Sequence, residues 1–231
     1  MAWGYLGLNS LPLDAWIKKQ KGGHFQYLTI QGLAIAWLTM MASLACDLFP
    51  SNSGIRRFKR ALFMIALPLA VVISTIYWTL ITLLPSLILQ ADQTQSEPTS
   101  AAPELSLMRI PLRVDLALHA TPALTLLANF FLFETRYSIA ETKYPAAIVT
   151  TLYGIFYALW VEYCAKHNGH FPYPFLEHPL RGRLLVYSGA SLLALLSFRA
   201  INSMHPRYPY PLTQEKFVEK EGGHTPQNGW R

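Results

Sequence analysis

Long apolar blocks alternate with short polar connections along the chain. A helix needs about 20 apolar residues to cross a bilayer core of roughly 30 Å, and five segments approach or exceed that length. The predicted spans lie near residues 25–46, 61–90, 110–133, 145–165 and 184–204. The pattern therefore predicts an all-α fold, a polytopic transmembrane helix bundle of about five membrane helices.

The predicted transmembrane helical domain covers residues 25–205. An N-terminal tail at 1–24 precedes it, and a polar C-terminal tail at 206–231 follows it. The first twenty residues lack the basic start of a signal peptide, and Pro12 and Asp14 interrupt any apolar core there. We therefore expect a single membrane domain with short tails.

The connections between the predicted spans differ in composition. Residues 51–60 are short and basic, whereas residues 91–104 are acidic and rich in Ser, Thr, Pro and Gln, which is typical of a mobile segment. Residues 166–183 are crowded with aromatic residues, prolines and histidines, which predicts a loop packed on the bundle. The second span is longer than one crossing needs, so we expect it to tilt or to kink at Pro68 or Pro85.

The topology places the polar residues of the spans toward one side of the membrane. Odd-numbered spans start on the same side, and even-numbered spans end there. Thr29 opens the first span, Asp115 and His119 lie in the first half of the third, and Glu162 closes the fourth. Lysine and arginine counts favour an N-terminus outside or in the lumen. Of the 19 basic residues, roughly eleven then face the cytosol; the bias is modest and leaves the reverse orientation open.

Composition agrees with a membrane protein. Hydrophobic residues make up 52% of the chain and charged residues 14%, whereas a soluble domain carries about a quarter charged residues. The net charge is +6, but the basic residues are scattered over flanks and loops. This distribution argues against nucleic-acid binding and places the charge beside lipid head groups. Cys46 and Cys164 have no CxxC neighbour, so we interpret them as small apolar residues.

Two ionisable residues, Asp115 and His119, lie within the third predicted span. Charged groups are costly in hydrocarbon, so they need a partner or a role. The two residues are four positions apart and share one helix face. Asp115 can fix the tautomer of His119 and stabilise its protonated form, or the pair can hold helices together. Spacing alone favours neither reading.

Thr29 is not singled out by chemistry alone. A threonine in a membrane helix commonly bonds the carbonyl of the preceding turn and has no other role. A nucleophilic threonine needs a base within hydrogen-bond reach, and His119 is the only histidine well inside a predicted span. His167 and His170 have HxxH spacing, but their aromatic-rich loop favours solvent-facing histidines over a metal site. The sequence has no GxSxG elbow and no glycine-rich phosphate loop.

Three segments together carry a resemblance to a known family. They read HFQYLTIQG from His24, LHATPALTLL around His119 and LWVEYCAKHNGHFPYPFLEH from Leu159. Over roughly residues 24–200 the chain resembles the androgen-induced protein family, which includes the androgen-dependent TFPI-regulating protein, and especially its fungal-type members. Animal members of that family are threonine hydrolases of the membrane that cleave fatty acid esters of hydroxy fatty acids.

The resemblance implies roles for individual residues. The family's nucleophile lies in a motif that matches the YLT ending at Thr29, and its essential histidine matches His119. Asp115, Glu162 and Tyr173 are expected to support these two, with Tyr173 or backbone amides near the start of the first span as oxyanion donors. Animal members carry asparagine at the position of Asp115. A carboxylate there would strengthen the base or suit a different ester.

The implied function is an intramembrane threonine hydrolase of lipid esters. His119 would take the proton of Thr29, and Thr29 would attack the ester carbonyl to form an acyl-enzyme that water then hydrolyses. This chemistry requires no cofactor and no metal. The expected partners are a lipid ester substrate and membrane lipids, in the endoplasmic reticulum or plasma membrane of the endomembrane system. The alternative is a non-catalytic multi-pass membrane protein that binds lipid or a membrane partner.

Overall fold

The computed structural model describes residues 1–11, 13–89 and 109–206. Within these ranges the chain is helical and has no strand. The α-helices in chain order are α1 (Ala2–Gly7), α2 (Asp14–Lys19), α3 (Leu28–Leu48), α4 (Ser53–Leu83), α5 (Leu112–His119), α6 (Thr121–Phe133), α7 (Ile139–Lys143), α8 (Pro145–Asn168) and α9 (Leu180–Met204). Single 3₁₀ turns lie at Leu8–Ser10, Gly23–Gln26, Pro85–Leu87 and Pro174–Leu176.

The described helices include four stretches that are long and apolar enough to cross a membrane. They are α3, α4, the stretch Ile139–Asn168 that joins α7 to α8, and α9. The pair α5 and α6 passes the same test as one span bent by 41°. Pro122 explains the break, because it has no N–H to donate to the carbonyl of Leu118 one turn earlier. The prediction of an all-α bundle with about five membrane helices is confirmed, and its third span is broken.

Two predicted boundaries of the second span were wrong. Residues 51–60 do not form a connection, because α4 already begins at Ser53 and the connection is limited to residues 49–52. The side chain of Asn52 caps this helix by accepting hydrogen bonds from the amides of Gly54 and Ile55. The basic residues that follow are good helix formers, so the helix extends beyond the apolar block. At the other end α4 stops at Leu83, whereas the prediction ran to residue 90.

The described residues among the first 24 fold onto the bundle, although a tail was expected there. Helix α1 packs against α5 so closely that a Cβ on Gly4 would lie 2.9 Å from the Cβ of Ala117. Gly7 approaches Val114 in the same way, and Leu8 is buried. The segment therefore forms part of the wall around α5. The predicted mobile loop at 91–104 lies outside the described residues, and so does the C-terminal tail beyond Pro206.

The loop between α8 and α9 is ordered, as its composition predicted. Leu176 is 1% exposed and packs with Tyr157 and Val161 of α8. His170 stacks on Trp16 of α2, with ring centroids 5.2 Å apart. The loop thus joins the N-terminal segment to the end of the bundle where α3 begins.

Candidate active site

A mostly apolar cavity of about 280 Å³ lies between the helices at the end of the bundle where α3 and α5 begin. Ile88 and Leu89, which follow the 3₁₀ turn after α4, contribute to its walls, and so does the loop between α8 and α9. Polar side chains that line it include Asp14, His24, Thr29, Tyr77, Arg109, His119 and Tyr173. The structure therefore brings Thr29 and His119, which are far apart in sequence, to one cavity.

Thr29 is the second residue of α3. Tyr27 precedes the helix in an extended conformation, and its carbonyl accepts hydrogen bonds from the amides of Ile30 and Gln31 at 3.1 and 3.3 Å. The amides of Leu28 and Thr29 belong to the first helical turn and take no part in the helical ladder. They are hydrogen-bond donors at the positive end of the helix dipole, beside the Thr29 hydroxyl.

Tyr173 covers this helix start. Its hydroxyl lies beside the Thr29 side chain and the amides of Thr29 and Leu28. Its ring packs edge-on against Tyr27, with centroids 5.5 Å apart. Burial raises the pKa of Tyr173 above its ordinary value, and the neighbouring Thr29 side chain and the amides of Thr29 and Leu28 oppose that rise. Tyr173 is therefore a neutral phenol beside Thr29, as a hydrogen-bond donor must be.

His119 is held from two directions. Its Nδ1 lies 2.7 Å from Oδ1 of Asp115, and its ring stacks flat on Tyr77 with centroids 3.4 Å apart. The Tyr77 hydroxyl also lies close to the Asp115 carboxylate. Because a carboxylate only accepts, Nδ1 carries the proton of the neutral ring, and Nε2 holds the lone pair. His119 thus has the tautomer that a general base needs.

A second aspartate–histidine pair lines the same cavity, and sequence reasoning missed it. Nε2 of His24 lies 2.7 Å from Oδ1 of Asp14, and Nζ of Lys18 lies 2.6 Å from Oδ2. The hydrogen bond from Lys18, together with that from His24, lowers the pKa of Asp14. No helical spacing relates positions 14 and 24. The sequence feature that could have indicated this pair is Asp14, a carboxylate within an otherwise apolar stretch.

Glu162, which was expected to support Thr29 and His119, does not line the cavity. Its two carboxylate oxygens accept hydrogen bonds from Arg183 at 2.6 and 2.9 Å. The Tyr187 hydroxyl donates to the same carboxylate at 3.1 Å. Glu162 therefore fastens α8 to α9, and it reaches the cavity only through Tyr187, which lines it.

Comparison with known proteins matches most of the chain. A family model described as FAR-17a/AIG1-like protein matches residues 9–206, a range that includes all the cavity residues discussed above. A UPF0641 membrane protein of Schizosaccharomyces pombe (strain 972 / ATCC 24843) is 27% identical over 208 residues, which cover 89% of this chain and 85% of that relative. A UPF0641 membrane protein of Saccharomyces cerevisiae (strain ATCC 204508 / S288c) is 27% identical over 187 residues, covering 76% and 73%. No solved structure matches significantly.

Proposed function

Because the chain belongs to the FAR-17a/AIG1-like family, we propose that this multi-pass membrane protein is a threonine hydrolase of lipid esters. The observation that carries the proposal is the shared cavity, which Thr29 and His119 both line and whose walls are mostly apolar. An apolar cavity with a few converging polar groups is typical of a small-molecule site. Here its apolar walls would receive acyl chains, and the polar groups would receive the ester.

The proposed reaction uses Nε2 of His119 as the base. It takes the proton of the Thr29 hydroxyl while the Thr29 oxygen attacks the ester carbonyl. The protonated ring then gives this proton to the leaving alkoxide, which departs as the hydroxy lipid. In the second half, His119 deprotonates water, water attacks the acyl-enzyme, and the acid leaves as Thr29 regains its proton.

The negative oxygen of the tetrahedral intermediate needs donors that are already in position. The amides of Leu28 and Thr29 are free of the helical ladder, and the neutral hydroxyl of Tyr173 lies with them. These three groups are our candidates for the oxyanion site. Each such donor contributes on the order of 10²–10³ in kcat in hydrolases of known mechanism.

Arg109 bears on the class of substrate. It lines the cavity, and its positive charge acts on the nearby Tyr77 hydroxyl. A fatty acid ester of a hydroxy fatty acid carries one free carboxylate and two long chains. Arg109 would receive that carboxylate while the chains occupy the apolar walls, which agrees with the substrate implied by the family resemblance. We place this activity in the endomembrane system, in the endoplasmic reticulum or the plasma membrane.

Activity-based labelling with a fluorophosphonate probe tests the proposal directly. We expect membranes containing the wild-type protein to give an adduct that peptide mass spectrometry maps to Thr29. Thr29→Ala should abolish it. The matched control is Thr82→Ala, because the Thr82 hydroxyl donates to the Trp78 carbonyl at 2.6 Å within its own helix and does not line the cavity.

The rival function is a non-catalytic protein that holds a lipid in the same cavity. In that case Asp115 and His119 form a structural hydrogen bond, and Thr29 is not a nucleophile. Undiminished labelling of the Thr29→Ala protein, or no labelling of the wild type at matched abundance, would favour this rival.

A further inference from the structure

A second pocket lies at the opposite end of the bundle from Thr29. Its volume is about 680 Å³, and it lies between the residues that follow α6, the short helix α7 and the last turns of α9. Three basic side chains line it, from Arg136, Lys143 and Arg199. They come from three different elements of the chain, so the fold, not local sequence, gathers this charge.

The three cations have no counter-charge among the described residues. No carboxylate in residues 1–11, 13–89 or 109–206 forms an ion pair with any of them. Charges of the same sign repel when they share a pocket. The arrangement therefore favours an anion in the pocket.

The two carboxylates nearest in sequence already have partners. The Glu134 side chain is 6% exposed and lies 2.5 Å from Nζ of Lys59, with Arg60 also in reach. Glu141 pairs with Arg60 at 3.1 Å and caps the start of α7. Neither is available to neutralise the pocket.

The wall of the pocket is held in place before any ligand arrives. The Asn202 side chain of α9 forms two hydrogen bonds with the backbone of Tyr137, accepting from its N–H at 2.8 Å and donating to its carbonyl at 3.0 Å. Tyr137 is 2% exposed, and its hydroxyl donates to the carbonyl of Arg60. These bonds fix the backbone next to Arg136, so binding there requires little reordering.

Apolar side chains flank the charged pocket. Ile139, which lines the pocket, is 82% exposed. Met204 follows the lining residue Ser203 at the end of α9 and is 72% exposed. A free phosphate would leave these side chains unused, whereas the acyl chains of a lipid would cover them. We propose that this pocket binds the phosphate-bearing head group of an anionic phospholipid, whose chains lie along Ile139 and Met204.

The position in the membrane agrees with this ligand. The pocket lies at the end of the bundle that the distribution of basic residues favours as cytosolic. Anionic lipids concentrate in the cytosolic leaflet, and basic pockets between membrane helices bind their head groups. The proposal concerns a lipid that stays bound, at a site separate from the cavity of Thr29, and it holds whether or not the protein is a hydrolase.

Lipid titration of the full-length protein in neutral detergent, followed by native mass spectrometry, tests the site. The probes are a phosphatidylinositol phosphate, a phosphatidylcholine with the same acyl chains, and a soluble inositol phosphate. We expect the anionic lipid to bind at least about tenfold more tightly than the other two. Since each basic residue near a membrane surface contributes about a factor of five, Arg136→Gln/Arg199→Gln should weaken this binding by about twenty-fivefold.

Two variants serve as controls. Arg136→Lys/Arg199→Lys keeps both charges and should retain most of the binding. Lys166→Gln/Arg181→Gln removes two exposed cations at the other end of the bundle and should bind as the wild type does. Equal binding of phosphatidylcholine, or an unchanged affinity in the Arg136→Gln/Arg199→Gln protein, would overturn the proposal. Equal binding of the soluble inositol phosphate would overturn the lipid assignment and identify a free phosphate as the ligand.

Discussion

The Asp115 carboxylate lies 2.7 Å from Nδ1 of His119, one helical turn away on α5. The same ring stacks on Tyr77, whose hydroxyl lies close to the same carboxylate. These contacts fix both the orientation and the tautomer of His119. They make Asp115 a positioning residue for the proposed base, because it acts on His119 and does not itself line the cavity.

The effect of a substitution at Asp115 on kcat should therefore depend on whether the new side chain can still accept a hydrogen bond from His119. Asparagine keeps a carbonyl oxygen that accepts the proton of Nδ1, whereas alanine leaves that nitrogen without a partner. We expect Asp115→Ala to lower kcat on the order of 10²-fold, at the low end of what general acid–base catalysis contributes, and Asp115→Asn to lower it less. The pH profile of kcat should shift in both variants. Wild-type activity and an unchanged pH profile in both would show that Asp115 does not support the base.

The Asp14–His24 pair offers His24 as an alternative to His119 for the role of the base, and the two can be distinguished by mutation. Both histidines line the cavity, and each has one ring nitrogen on a carboxylate at 2.7 Å. If His119 is the base, His119→Gln should lower kcat by about 10²–10⁴, and His24→Gln by less than about tenfold. Comparable unfolding temperatures should accompany both changes. The opposite ranking would move the base role to His24.

Much of the fold could be predicted from the apolar pattern. Membrane helices need long apolar runs, and four of the five predicted spans correspond to single helical stretches of the structure. The break at Ala120 was not predicted, because hydropathy records only that residues 110–133 are apolar. The early start of α4 was missed for a related reason: Lys59 and Arg60 read as a loop, although Glu134 and Glu141 pair with them in the fold.

The candidate site was only partly accessible from sequence. Asp115 and His119 could be paired by their helical spacing, since residues four apart share a face. The assignment of Thr29 as the nucleophile came from the family resemblance, because the environment of Thr29 depends on Tyr173, which is 144 positions away in sequence. The Asp14–His24 pair depends on how α2 packs against the 3₁₀ turn Gly23–Gln26. The periodicity of apolar residues does not predict such a contact.

The docking of α1 on α5 gives a prediction about the N-terminal segment. A Cβ at position 4 would lie 2.9 Å from the Cβ of Ala117 and 3.3 Å from its carbonyl carbon. Because backbone cannot yield locally, Gly4→Ala should move α1 away from the helix that carries His119. We expect a loss of about 1–3 kcal/mol in unfolding free energy, measured as a lower unfolding temperature in detergent, and reduced activity. Gly189→Ala is the control, since nothing lies within 4 Å of its added methyl group; equal behaviour of the two variants would contradict the packing.

Arg109 should matter only for substrates that carry a free carboxylate. The side chain is exposed, so its interaction with a carboxylate is screened and amounts to about 1 kcal/mol at most. We expect Arg109→Gln to raise KM about fivefold for a branched ester with a free carboxylate. KM for the methyl ester of the same compound should not change. Arg113→Gln removes an exposed cation that does not line the cavity, and an equal effect in that variant would contradict carboxylate recognition by Arg109.

Thr29 and His119 should behave as one catalytic unit. When a nucleophile and its base act together, losing either removes nearly all catalysis, and losing both adds little. We therefore expect Thr29→Ala, His119→Ala and the double variant to have similar residual rates in the hydrolysis of a branched fatty acid ester, at matched expression in membranes. Thr29→Ser should retain part of the rate, because serine keeps the hydroxyl and loses only the methyl group that restricts χ1.

The residual rate and abundance of the double variant distinguish a loss of catalysis from a loss of folding. If the two substitutions merely destabilised the bundle independently, their losses would add, and the double variant would be less abundant than either single variant. A shared site predicts normal abundance and no further loss of rate. Full activity of Thr29→Ala would end the nucleophile assignment, and the cavity would then be that of a lipid-binding protein, since its apolar walls do not depend on the Thr29 hydroxyl.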